Sequence, residues 1–181
     1  MSLQIQTANQ PAIICRFIQT ADRWTHAWLC LDGGKETLLL QSIEGDAEGA
    51  WPPSPALQDM SQEDLGHTTA IMGVGMAGKS HYSVSVSVED KSLVADFACL
   101  VKQQPKFLGS TYRVCHPTRL QDGAAIFEAG DHRIELVPRD TGSDPTISLE
   151  GDTLTIEAAT PPDEIGGRGV SHRWCFMVQT K

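Results

Sequence analysis

The sequence is poor in local signatures of chemistry. Its six histidines form no H-x-H, H-x-x-H or H-E-x-x-H spacing, and its five cysteines form no C-x-x-C pair. Those gaps leave no short-range zinc pattern and no dithiol redox pattern. There is no G-x-S-x-G nucleophile elbow, so the serines carry no hydrolase signature. No apolar run approaches the about 20 residues needed to cross a bilayer as a helix. The opening text MSLQIQTANQPAIICRF has neither a basic n-region nor a long apolar h-region, so no signal peptide and no membrane association are expected. Bases are scarce too: 14 Lys+Arg stand against 23 Asp+Glu, a net charge of −9. Such a chain repels polyphosphate at long range, which disfavours a nucleic-acid partner. The odd number of cysteines, most in apolar strand-like text, reads as reduced core thiols in a soluble, cytoplasmic protein.

What remains is ordinary globular text, with 40% hydrophobic and 20% charged residues over 181 positions. That length suits a single β-rich domain, 1–181, able to bury a sizeable core. Alternation with a period of two dominates, punctuated by turn pairs. Ala12–Gln19 reads as a strand, and Trp24–Leu31 and Glu36–Ser42 flank Asp32-Gly33-Gly34-Lys35 as a hairpin. Trp24 and Trp28 then share a face, as core residues do. In Ser80–Val88, Val84, Val86 and Val88 share one face. In the returning strand Leu93, Ala95, Phe97, Cys99 and Val101 do the same, with Asp96 opposite. Further hairpins are expected around Gly130 and Gly151, and a glycine-rich loop, Gly166-Gly167-Arg168-Gly169, leads into a last strand, Arg173–Gln179. Between Glu44 and about residue 66 the texture changes to a long acidic loop with Pro52, Pro53 and Pro55, and with one helical turn around Ala56–Asp64. The expected fold is all-β, an antiparallel β-sandwich, with a closed or partly open barrel as the alternative. It should have roughly nine or ten strands and at most one short helix.

One octapeptide stands out. Residues Gly73 to Ser80, GVGMAGKS, match G-x-x-x-x-G-K-[ST]. On Gly73, Gly78, Lys79 and Ser80 the chain resembles the P-loop nucleotide hydrolases. The resemblance implies a glycine loop whose N–H groups wrap a phosphate, a lysine on the outer phosphates and a serine on Mg²⁺. That chemistry needs a helix to start at the Lys-Ser end. Here Ser80 is followed by HYSVSVSV, which has strand propensity and little helix propensity. The local reading is therefore a glycine-rich strand–loop–strand link, not a nucleotide hydrolase. Lys79, Ser80 and His81 are its candidate anion-binding residues.

Two other stretches bear on partners. Lys102–Arg119 holds four bases and no acid, with Phe107 and Tyr112 interleaved. It reads as a solvated loop with Phe107 in the core, opposite in sign to the acidic loop and able to contact it within one chain or across a dimer. Trp51, just before Pro52-Pro53, reads as an exposed aromatic and the candidate partner-binding residue. Glu135, Glu150 and Glu157 read as strand-face or turn residues rather than a catalytic pair. No metal site, cofactor or catalytic residue is assigned. The expected function is non-catalytic binding of a small ligand or a protein. The alternatives are an enzyme or binding site for a small anion at the Gly73–Ser80 loop, and a structural subunit of a homo-oligomer pairing its sheet edges.

Overall fold

Alternating side chains, glycine turns and β-branched or aromatic strand residues build two antiparallel sheets. A computed structural model describes residues 1–46, 48–66, 68–140, 145–159 and 169–181. His67 and the Gly166-Gly167-Arg168 part of the expected glycine loop lie outside the described residues. No described residue is helical. The fifteen strands are β1 (Ser2–Gln6), β2 (Ala12–Thr20), β3 (Arg23–Asp32), β4 (Lys35–Ser42), β5 (Asp59–Asp64), β6 (Thr69–Ala77), β7 (Ser80–Glu89), β8 (Ser92–Val101), β9 (Gly109–Val114), β10 (Thr118–Gln121), β11 (Ala124–Ala129), β12 (His132–Pro138), β13 (Thr146–Glu150), β14 (Thr153–Glu157) and β15 (Val170–Thr180). One sheet has seven strands in the order β1-β2-β3-β4-β9-β14-β13. The other has eight, in the order β10-β11-β12-β15-β8-β7-β6-β5.

The molecule is an antiparallel β-sandwich, and its two sheets do not close into a barrel. Its inner faces are the ones the alternation picks out. Trp24, Trp28, Phe17 and Cys15 come from the seven-stranded sheet. Val84, Val86 and the whole Leu93–Val101 stripe come from the other, and all join one hydrophobic cluster. Rings pack within and between the sheets. Phe97 stacks on its cross-strand partner Trp174 in the eight-stranded sheet with centroids 5.6 Å apart, and Trp28 meets Phe176 of the opposite sheet edge-on at 5.5 Å.

The expected hairpins form as read. Gly33 and Gly34, at φ +55 and +84, make the two-residue turn between β3 and β4. Two expectations need correction. Fifteen strands replace nine or ten, because β1, β5, β9 and β10 carry glutamines, acids or bases that blur their alternation. The helical turn around Ala56–Asp64 is also wrong: Asp59–Asp64 is the edge strand β5, paired with β6 from Asp59↔Val74 to Asp64↔Thr69. Its acids suit an edge, since charge there discourages pairing with another chain.

Candidate functional site

The octapeptide lies on β6 and its turn into β7, and each glycine has a structural reason. A Cβ on Gly75 would be driven into the Ala56 carbonyl, with Gln58 Oε1 at 2.7 Å and the Ala56 carbonyl carbon at 2.8 Å. A Cβ on Gly73 would meet the Met60 thioether and sit 3.1 Å from Val84 Cγ1. Both glycines therefore face inward, where the Ala56 carbonyl occupies the space under Gly75 and the Met60 side chain, from the paired strand β5, covers Gly73. Gly78, at φ +56, takes the first central position of the two-residue turn closed by the Ala77↔Ser80 pair. That is where hairpin turns of the II′ type carry glycine. The backbone from Ala70 to Ala77 is paired with β7 rather than curled around an anion. No helix follows Ser80, so no helix dipole points at the turn.

The three candidate anion-binding residues are split between two faces. Lys79 is exposed in the turn and His81 is exposed on the outer face of the sheet. Ser80 is fully buried on the inner face, next to the Cys99 thiol. A phosphate held by all three would have to lie on both sides of a strand.

Trp51 is also not where an exposed anchor would be. It is half-buried and packs against the main core. Phe107 is half-buried, and the neighbouring side chain that enters the core is Leu108. Tyr112 is fully buried in β9, so the aromatic residues of the basic stretch are not surface platforms. The acidic loop and the basic stretch do meet within the chain, through backbone and the Ser54 hydroxyl, which donates to Thr111 O at 2.9 Å. Ile43 N donates to Thr111 O at 2.9 Å, and Thr111 N donates to Pro53 O at 2.9 Å.

A polar network is buried where that loop leaves β4. Tyr112 Oη lies 2.9 Å from His26 Nε2. His26 N donates to Ser42 Oγ at 2.8 Å, and Ser42 Oγ donates to Glu44 Oε1 at 2.6 Å. Burial pushes His26 down to about 3, so its ring is neutral at ordinary pH. Burial pushes Glu44 up to about 7, opposed by the Ser42 hydrogen bond and the Arg23 charge. Glu44 Oε2 is buried without a hydrogen-bond partner. The geometry of this network serves the loop, with Arg23 Nη1 donating to Gly45 O at 2.7 Å. Cys99 and Cys175 are both buried and pushed up to about 11, mainly by desolvation, which makes them poor nucleophiles. Glu135 is held by Arg133 and Lys181. Among the described residues, no group of three or more His, Cys, Asp or Glu stands close enough to hold a metal ion.

The outer face of the eight-stranded sheet presents a different picture. Because Gly73 and Gly75 turn inward, Met72, Val74 and Met76 turn outward, and Val74 is 55% exposed. Pairing extends these positions into cross-strand rows. One runs Asp59, Val74, Ser83, Ala98, Arg173, and another runs Met76, His81, Leu100, Ser171. A cleft of about 510 Å³ opens over these rows, lined by Asp59, Val74, Met76, His81, Ser83 and Leu100 among others. A second, of about 290 Å³, adjoins it along Asp59, Ser61, Met72 and Val74. Beside them Arg173 and Asp96 form an ion pair, with Nε to Oδ1 at 2.6 Å.

No protein-family model matches the chain, and no curated protein sequence matches it. The cleft brings His81 together with a carboxylate, Asp59, but their strands β7 and β5 are separated by β6. Two strand spacings put their backbones roughly 10 Å apart, too far for an acid–base dyad joined by a hydrogen bond. Sequence reading overlooked the cleft because it took the β6 glycines as loop residues. The usable signal was the alternation of Ile71, Gly73 and Gly75 with Met72, Val74 and Met76.

Proposed function

We propose that this chain is a non-catalytic binding domain that takes a small ligand on the outer face of its eight-stranded sheet, in the cleft between β5 and β8. The supporting observation is the placement of Val74, Met76 and Leu100 on a solvent face around a cleft of about 510 Å³, with Met72 in the cleft that adjoins it. That volume lies within the roughly 300–1,000 Å³ of small-molecule sites, and an apolar wall with a few polar groups is their usual make-up. The chemistry of the lining favours binding over catalysis, since no nucleophile and base stand in contact there. Five free cysteines, four of them buried, support a reducing compartment as its place of work.

The test is a thermal-shift screen of small molecules against the wild type and Val74→Asn. A ligand that binds only the native state raises Tm by mass action. Hits that vanish in the variant support the cleft, and hits that persist unchanged place the site elsewhere. If the same face joins copies of the chain, light scattering will give a multiple of 19.7 kDa that falls in Val74→Asn.

A further inference from the structure

We infer that the ligand of this cleft is an aliphatic cation, a short alkyl chain bearing an ammonium group. This inference rests on the cleft being the binding site. Three features of the lining narrow the class.

The first is charge. Among the described residues that line the main cleft, Asp59 is the only Asp, Glu, Lys or Arg, and it lines the adjoining cleft as well. Glu63, also on β5, adds a second carboxylate toward the same edge, opposite Ala70. The nearest guanidinium, Arg173, is matched by Asp96 and brings no net positive charge. Lys79 sits in the turn and is not part of the lining. Asp59 repels an anion, whereas an ammonium group gains it as a partner.

The second is that, among the described lining residues, no Phe, Tyr or Trp ring faces the cleft. Tyr82 borders the cleft, but its side chain is on the buried face, 3% exposed. The exposed ring in the lining is the His81 imidazole, a smaller stacking surface for a sugar or nucleobase than a Trp or Tyr face. Val74, Met76 and Leu100 instead provide a wall of aliphatic and thioether carbon, suited to an alkyl chain.

The third is the backbone. A peptide recognised by strand addition needs an unpaired edge. Here the end of β6 is already taken. Gln58 N donates to Val74 O at 3.0 Å, Gln58 Nε2 donates to Met76 O at 2.9 Å, and Met76 N donates to Gln58 Oε1 at 2.7 Å. The side-chain amide of Gln58 thus completes the ladder beyond β5. At the end of β6, under the main cleft, what is left open to solvent is side-chain surface, which fits a small molecule lying on the face.

Titration with octylammonium, octanoate and octanol, followed by calorimetry and by amide chemical shifts, tests the inference on the wild type, Asp59→Asn and Val74→Asn. Octylammonium should bind the wild type roughly fivefold more tightly than octanoate, the size expected of one solvent-exposed ion pair. Added salt should shrink that preference. Asp59→Asn should bring the two within about twofold, while Val74→Asn should weaken all three. Shifts should map to β6, β7 and β8. Equal or tighter binding of octanoate, or a preference that survives in Asp59→Asn, overturns the cationic class while leaving the cleft as a binding site. Absence of binding by all three overturns both the inference and the function it rests on.

Discussion

Gly75→Ala separates the two accounts of the glycine octapeptide. In a phosphate loop the glycines serve a ligand, and a methyl group should cost binding more than stability. In a strand, alanine should stabilise by about 0.5–1 kcal/mol, because glycine loses more backbone freedom on folding. At Gly75 that gain is overwhelmed. The new methyl would run into the Ala56 carbonyl and stand 2.7 Å from Gln58 Oε1, so β6 and the Ala56–Gln58 segment must part. The neighbour is backbone anchored by Leu57, which is fully buried and whose carbonyl accepts from Trp24 N at 2.8 Å. Overpacking of this kind costs about 1–3 kcal/mol. Parting the strands also strains the hydrogen bonds of Gln58 with Val74 and Met76, each worth about 1 kcal/mol. The net expectation is a loss of about 3 kcal/mol. Gly73→Ala provides the internal control. Its methyl displaces chiefly the flexible end of Met60, so the loss should be about 1 kcal/mol or less. Urea unfolding monitored by tryptophan fluorescence measures both variants on one scale. A Gly75→Ala protein as stable as the wild type, or one less affected than Gly73→Ala, would refute the packing explanation.

Other expectations follow from the same structure. Lys79→Ala should change stability by less than about 0.5 kcal/mol and leave any sulfate-induced rise in Tm unchanged, since its neighbour Ser80 points into the core. Glu44 has its folded pKa raised to about 7 from 4.5. Its contribution is thus fully present below the unfolded value and is lost as pH rises through 7. Glu44→Gln should remove that loss and stabilise the protein at pH 8 by about 2 kcal/mol, read as the difference between urea midpoints at pH 5 and pH 8. His26 works in the opposite direction. Its folded pKa falls to about 3 from 6.5, so its contribution, present above 6.5, is lost as pH falls toward 3. Acid unfolding of a Glu44→Gln variant should therefore persist. Tyr112→Phe leaves His26 Nε2 without its 2.9 Å partner and should cost about 1–3 kcal/mol in chemical unfolding. Trp51→Ala should lower stability by about 2 kcal/mol, because the ring packs on the core.

Most of the sandwich was legible because its strands are two-faced. In β8 every odd residue from Leu93 to Val101 is fully buried, and a period of two with five apolar positions has no other economical reading. The turns between strands were equally plain, since positive φ at Gly33, Gly34, Gly130 and Gly151 leaves a residue-specific mark. The strands that escaped reading lack that contrast. β5, DMSQED, buries none of its residues and half-buries only Met60, so its sequence carries acids where a strand signal should be. In β9, Tyr112 belongs to the core but sits among Thr111, Arg113 and a preceding basic stretch. Local text assigned it to a loop, and only its cross-strand partners Ser42 and Leu154 reveal it.

The candidate site was hidden by a reversal of the usual size rule. In a half-buried strand the large apolar side chains face in and the small ones face out. On β6 Gly73 and Gly75 face in, because Met60 and the Ala56 carbonyl occupy the space beneath them. Met72, Val74 and Met76 consequently face water. No local rule foretells this, for the cause is a segment some fifteen residues earlier that packs against the strand. The same packing explains why GVGMAGKS spells a nucleotide signature. Two of its glycines yield to a neighbouring backbone or side chain, the third bends a turn, Lys79 projects from that turn, and Ser80 begins the next strand facing the core. Glycines recruited for packing thus produce two surfaces at once: a filled interior under β6 and, directly opposite, an exposed aliphatic wall with Asp59 at its edge. If Gly75 were free to take a side chain, the Ala56–Gln58 segment would have to withdraw. Gln58 would then release the end of β6, and Asp59 would lose the register that sets it beside Val74. The packing glycine and the proposed cation site therefore stand or fall together, and octylammonium affinity should drop in Gly75→Ala even under conditions where that variant remains folded.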